Sequence, residues 1–212
     1  MGTIFVAGSY GVGKSTLCDI LSHRLGIPCF SAGDLISKVN GEKYGATKAV
    51  SDKSANQDIL AIEVQKILSS SSKILLAGHF CIFDKSNRVE PLPDTIYSNL
   101  GIACILLLEA DPAQIISNLG KRDKKAYTQE EITKLIIAEN NYAHKIANTL
   151  SCPLFVHNMH FDGTDADACI SLLRGGHSFK REFYWTLTLL YIERTDELPT
   201  TVLDICFVGS TV

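Results

Sequence analysis

At 212 residues, with 46% hydrophobic and 20% charged side chains, the chain has the size and composition of one globular domain, or of one domain with an appendage. A net charge of -3 gives no electrostatic case for general nucleic-acid binding, and the apolar runs Ile102–Leu108 and Tyr184–Ile192 are too short to span a bilayer. The cysteines are scattered without zinc-finger spacing and read as reduced thiols, and no basic-then-apolar leader opens the chain, so a cytoplasmic protein without membrane association is expected.

Short apolar runs alternate with longer stretches of helical periodicity, the rhythm of βαβ units around a mainly parallel sheet. Thr3–Ala7 reads as a buried first strand. A glycine-rich loop follows, then a helix from Lys14 to Leu25 with Leu17, Ile20, Leu21 and Leu25 at helical spacing, ended by Gly26 and Pro28. Cys29 and Phe30 read as a short strand, and Ala32–Val39 as the next helix, starting near Ser31. The polar segment Asn40–Ser54 is expected to be a mobile loop. A helix over Asn56–Leu68, a turn at Ser69–Ser72 and a strand at Ile74–Ala77 come next. Gly78–Pro93, with two prolines and little periodicity, reads as a loop before a fourth strand at Ile102–Leu108.

Asp111-Pro112 opens a helix to about Leu119, with proline at a first-turn position where its missing N–H costs nothing. Thr128-Gln129-Glu130-Glu131 has the capping-box pattern and starts a long helix to about Leu150. Leu154–Val156 is the fifth strand and Ala166–Leu173 a closing helix. After Arg174-Gly175-Gly176 the rhythm stops. The tail Phe179–Val212 is rich in aromatic and β-branched residues that favour strands, so a domain over 1–174 and an extension over 175–212 are expected.

Gly8-Ser9-Tyr10-Gly11-Val12-Gly13-Lys14-Ser15 fits the pattern G-x-x-x-x-G-K-[ST], and Thr16 follows. An apolar strand enters it and a helix leaves it. Glycines let consecutive N–H groups of Gly8, Gly11, Val12 and Gly13 turn inward toward phosphate oxygens, and the helix N-terminus at Ser15 and Thr16 adds its positive end. Lys14 would reach the β- and γ-phosphates of ATP, and the Ser15 hydroxyl would ligate Mg2+. The expected fold is therefore α/β, the three-layer αβα P-loop NTPase fold with a five-stranded mainly parallel sheet, plus a β-rich C-terminal extension.

Further motifs narrow the resemblance. Ser31-Ala32-Gly33-Asp34-Leu35-Ile36 resembles the start of the acceptor-binding helix of adenylate kinases within the P-loop nucleoside monophosphate kinases. Leu107-Leu108-Glu109-Ala110-Asp111-Pro112, running on to Gly120-Lys121-Arg122-Asp123, is similar to the strand, helix and lid entry of the archaeal-type adenylate kinases. His79, in Gly78-His79-Phe80, and Pro91-Leu92-Pro93 stand where that family carries a histidine after its third strand and a proline-containing acceptor loop. The likeness covers Gly2 to Arg174. It implies a nucleotide kinase using ATP and Mg2+, with a small nucleotide as acceptor. The family's corresponding loop at His157-Asn158-Met159-His160 runs near the adenine base.

The chain departs from that pattern at three places. Ala77 occupies the strand end where the family has an acidic residue that orders magnesium through water. The lid reads Lys121-Arg122-Asp123-Lys124-Lys125 rather than arginine-rich. Asn40–Ala77 contains no arginine, and Lys43, Lys48 and Lys53 are not bidentate phosphate clamps.

Phosphoryl transfer needs charge neutralisation on the γ-phosphate more than covalent help, so Lys14 and Arg122 are the catalytic candidates. The alternative reading of Arg122 is a solvated helix end. Asp34 either orders the acceptor or serves as a first-turn carboxylate, and His79 is either a ligand at a strand end or a structural histidine. Asp84 and Glu109 are alternatives for the acidic residue absent at Ala77, with Glu109 also read as the cap of the following helix. Two functions stay open: an ATP-dependent kinase acting on a nucleoside monophosphate or similar acceptor, and an ATP-binding switch or assembly subunit without kinase activity. The extension is expected to pair with the sheet edge or with another subunit, as a homo-oligomer or with a protein partner.

Overall fold

The computed structural model describes residues 2–40, 53–84, 86–122 and 126–175. The expected loop residues 41–52, the lid residues 123–125 and the extension 176–212 lie outside them, as do the side chains of Lys53 and Arg122. The chain divides into one unit over Met1–Cys169 and a second over Ile170–Val212, of which 170–175 are described, as helix.

The first unit is built on β1 (Gly2–Gly8), buried along its whole length. It is followed by α1 (Lys14–Leu25), β2 (Cys29–Ser31), α2 (Ala32–Asn40), α3 (Lys53–Ser70) and β3 (Lys73–Ala77). Next come β4 (Cys81–Phe83), β5 (Val89–Pro91), the short α4 (Thr95–Ser98), β6 (Ile102–Glu109) and α5 (Pro112–Arg122). The long α6 (Gln129–Leu150), β7 (Leu154–Asn158) and a helix α7 over 165–175 complete the described order.

Five strands form a wholly parallel sheet in the order β2-β3-β1-β6-β7. A central strand covered on both faces reads as a continuous apolar run, which is what Ile74–Ala77 and Ile105–Leu108 supply. Strand order reverses at β1, so the crevice for a ligand lies at the carboxyl ends of β1, β3 and β6, where the phosphate loop begins. Below it, Phe5, Phe80 and Tyr97 pack with ring centroids 5.0–5.7 Å apart.

The expected loop over Gly78–Pro93 contains more order than its sequence suggests. Cys81–Phe83 and Val89–Pro91 pair antiparallel, too short for a period of two to stand out. Asp84 makes the turn between them: its carboxylate accepts the N–H groups of Ser86 at 2.7 Å and Arg88 at 2.8 Å. The capping box at Thr128 and Glu131 is present in both directions.

Candidate functional site

The loop after β1 is shaped by its glycines. Gly8, Gly11 and Gly13 have φ of 141°, 76° and 95°. A Cβ on Gly8 would collide with the carbonyl oxygen of Leu108 on β6, and one on Gly11 would come within 2.8 Å of Leu119 on α5. Val12 is buried and anchors the loop, while Asn118 Nδ2 donates to the Gly11 carbonyl at 3.0 Å. Lys14 Nζ folds back over its own loop, donating at 2.8 Å to the carbonyls of Gly8 and Ser9.

This arrangement fits a polyphosphate with its cation. No side chain caps α1 at Gly13, and its first turn holds no acidic residue. The opening amides of a helix have no intrahelical acceptor, so they are available to an anion. Ser15 and Thr16 are both exposed on that turn, where the Ser15 hydroxyl would be open to a cation. The buried Ser9 hydroxyl has no hydrogen-bond partner among the described residues.

Beside the loop, at the end of β3, a second set of residues converges. Tyr10 packs on His79 with ring centroids 4.3 Å apart, and on Phe83 at 6.1 Å with the rings nearly parallel. Phe83 in turn stacks on Tyr127 at 5.9 Å. His79 Nδ1 lies 3.3 Å from Oε1 of Glu139 on α6. The same carboxylate accepts the backbone N–H of Phe80 at 3.1 Å on each oxygen and that of Cys81 at 3.2 Å. Tyr97 donates its hydroxyl to the His79 carbonyl at 2.9 Å.

Glu139 is 1% exposed. Burial pushes its pKa up to about 7, opposed by the charge of Lys14 and by the N–H groups of Phe80 and Cys81. It is a functional candidate that the motif reading passed over. Its signal is a charge inside an apolar stripe: Ile132, Leu135, Ala143 and Ile146, at helical spacing on the same helix, are all buried.

A third loop, after β7, lies against Gly13, where a Cβ would come within 3.4 Å of Met159 and Phe161. Asp165 holds it. Burial works against the Asp165 charge, yet N–H bonds from His160 and Phe161, each 2.8 Å, and from His157 keep its pKa below the usual range.

The sequence-selected residues divide accordingly. Gly8, Gly11, Val12, Gly13, Lys14, Ser15 and Thr16 form one continuous cradle, and His79 stands against it through Tyr10. Asp34 sits exposed in the first turn of α2, where its amide donates to Ser31 Oγ at 3.4 Å. Arg122 ends α5 in the backbone, its side chain lying outside what is described. Ala77 pairs with Val6 of β1, so a methyl group stands at the strand end where the resemblance to adenylate kinases led to the expectation of an acidic residue. Both alternatives make contacts of their own. Asp84 builds the β4–β5 turn, and Glu109 accepts Asn140 Nδ2 at 2.7 Å. The cap expected from Glu109 is supplied by Asp111, whose carboxylate accepts the Ala113 N–H at 2.8 Å.

A parallel sheet in this order, with a glycine-rich loop between its central strand and the next helix, defines a P-loop NTPase of the kinase-like type. Within that class the chain belongs to the AAA domain family, which matches residues 7–135. Among solved structures it resembles shikimate kinase from Acinetobacter baumannii in complex with shikimate, at TM-score 0.58 and 14% identity over 85% of this chain and 95% of that one. It also resembles a gluconokinase from Sinorhizobium meliloti 1021, at TM-score 0.52 and 13% identity over 87% and 97%. Shikimate kinase from Bacteroides thetaiotaomicron has TM-score 0.51 and 13% identity over 82% and 97%. At these identities the likeness is one of fold. No curated protein matches the sequence. Among the described residues no helix is long and apolar enough to cross a membrane.

Proposed function

We propose that the protein is an ATP-dependent phosphotransferase that moves the γ-phosphate of ATP to a small acceptor, a nucleoside monophosphate in the manner of archaeal-type adenylate kinases. The observation that carries this reading is the pairing of an uncapped phosphate cradle with the His79–Glu139 corner at the end of the neighbouring strand. On this reading Lys14 exchanges the carbonyls of Gly8 and Ser9 for β- and γ-phosphate oxygens. The amides of Gly11, Val12 and Gly13 hold the β-phosphate, and Ser15 and Thr16 close the cradle. Ser15 would hold a magnesium ion, which would supply charge neutralisation to the phosphates. Arg122 adds positive charge from the lid side, and Asp34 and His79 face the acceptor. Met159 and Phe161 flank the side of Gly13 on which a purine would lie. Residues 1–174 carry this activity in the cytoplasm, and 175–212 serve contact with another copy or a protein partner.

The test is ADP formation by the full chain with ATP and magnesium, offered nucleoside monophosphates, nucleosides, gluconate and shikimate in turn. Stimulation by one acceptor class supports the kinase and names its substrate. If ATP binds and no acceptor raises turnover above the basal rate, the protein is instead a nucleotide-dependent switch or assembly subunit. That second reading draws on Ala77, which leaves the end of β3 without its carboxylate. Deleting 175–212 and measuring molecular mass tests the extension: an unchanged assembly state removes its role in association.

A further inference from the structure

Among the described residues, two carboxylates are buried, those of Glu139 and Asp165. Asp165 is accounted for by the loop it closes. Glu139 is different, because it places an ionisable group inside the apolar stripe of a long helix. A buried carboxylate costs several kcal/mol unless its partners are well placed, and such a cost is met most often at functional sites. Its partners here are arranged in a particular way. The N–H groups of Phe80 and Cys81 are backbone donors and cannot rotate away, so they fix where the two oxygens sit. Oε1 already accepts the N–H groups of Phe80 and Cys81, which leaves Oε2 to carry the proton when the carboxyl is neutral, so in either state the ring nitrogen 3.3 Å from Oε1 is the donor.

Building on the kinase reading, we propose that Glu139 is the positioning residue of the site: it holds His79 with the proton on Nδ1, which makes Nε2 the basic nitrogen of a ring pressed against the phosphate loop. Three contacts lock the histidine. Glu139 takes Nδ1, Tyr10 packs on the ring at 4.3 Å, and the Tyr97 hydroxyl holds its carbonyl at 2.9 Å. Among the described residues, charged and titratable groups facing Glu139 include Lys14 from α1, His79 from the β3 end, Cys81 from β4 and Tyr97 from α4. Burial and the Glu139 charge push the Cys81 thiol up to about 12 and raise the Tyr97 hydroxyl well above its usual value, so both stay neutral. Lys14 and His79 are then the groups that answer the carboxylate. Through them a residue of α6 acts on the phosphate loop without touching a ligand.

The proposal is tested on the full chain labelled with 15N at histidine, by long-range 1H–15N correlation spectra between pH 5.5 and 8.5, with His79→Gln to identify the ring. Wild type is expected to show the Nδ1–H tautomer of neutral His79, and Glu139→Leu, which keeps no acceptor for that proton, the Nε2–H tautomer that predominates in an unconstrained imidazole. In the acceptor-stimulated assay, Glu139→Gln is expected to lower kcat at least about tenfold with KM for ATP little changed, since misplacing a reacting group costs rate rather than binding. Its pH–rate profile should lose a limb that wild type has. An Nε2–H tautomer in wild type, or the same tautomer in wild type and Glu139→Leu, overturns the proposal. If Glu139→Leu does not fold, the wild-type spectrum decides by itself: an Nδ1–H tautomer upholds the proposal and an Nε2–H tautomer overturns it. The spectra need no turnover, so the role of Glu139 is decided even in a chain that has no acceptor activity.

Discussion

The phosphate loop works through contiguous backbone, eight residues from Gly8 to Ser15 whose glycines and helix start create the anion site. The corner at His79 is assembled from side chains 60 positions apart, His79 at the end of β3 and Glu139 in the middle of α6. Local chemistry of the first kind leaves a pattern in consecutive letters. Chemistry of the second kind exists once the sheet has formed and α6 has packed across β1 and β4. The two regions meet at Tyr10 and Lys14, which belong to the loop and face the corner. Substitutions that separate them have graded consequences.

The largest effect is expected at Lys14. Removing a single preorganised positive group from a charge-developing transition state costs roughly 10²–10³ in rate. Lys14→Ala should therefore reduce ADP formation by about that factor in the acceptor-stimulated assay. Turnover within about threefold of wild type, less than 1 kcal/mol of transition-state stabilisation, would show that the cradle does not serve catalysis.

The corner is probed by pH. Glu139 has a folded-state pKa of about 7 against an ordinary value of 4.5. A carboxyl raised on folding binds its proton more tightly in the folded state. Its contribution to stability is fully present below about 4.5 and is lost as pH rises through about 7. The span corresponds to on the order of 3 kcal/mol. Urea unfolding of wild type should thus show a decline between those pH values that Glu139→Gln lacks. Parallel curves for the two proteins would mean that Glu139 titrates as an ordinary surface carboxylate.

What is legible in the sequence follows the same division. The phosphate loop, the capping box at Thr128 and the five strands are recorded in short patterns of glycine, hydroxyl and apolar residues, and each is where those patterns place it. Strand ends move by a residue or two, as at β7, which runs on to Asn158. The β4–β5 hairpin is hidden because each strand has three residues, and its turn depends on Asp84 bending its carboxylate to Ser86 and Arg88. Glu139 is visible as a charge in an apolar stripe, yet nothing in its neighbours announces His79 or Phe80. Asp34 is hydrogen-bonded within its own helix start, and the Arg122 side chain lies outside the described residues, so the roles of both rest on resemblance.

A mid-sized effect is expected at Gly11, where the loop leans on α5. Gly11→Val combines a φ of 76°, which a β-branched residue adopts with strain, with a Cβ 2.8 Å from Leu119. Strain and overpacking of this kind cost about 1–3 kcal/mol each. The variant should melt earlier and bind ATP more weakly, while the His79 spectrum stays that of wild type. A changed tautomer would show that loop and corner are one mechanical unit.

The smallest effect sharpens the contrast further. Thr128 accepts the Glu131 N–H at 3.2 Å and Glu131 returns a carboxylate to the Thr128 N–H at 2.8 Å, so one side chain on each partner closes the start of α6. Replacing an N-cap threonine by alanine costs about 1 kcal/mol. Thr128→Ala should lower the unfolding free energy in urea by that amount and leave kcat unchanged, because the cap lies about three turns before Glu139 and its influence falls off within the first turn of a helix. A fall in kcat comparable to that of Glu139→Gln would instead mean that the helix start sets the position of Glu139, and the corner would then depend on local capping as much as the phosphate loop does.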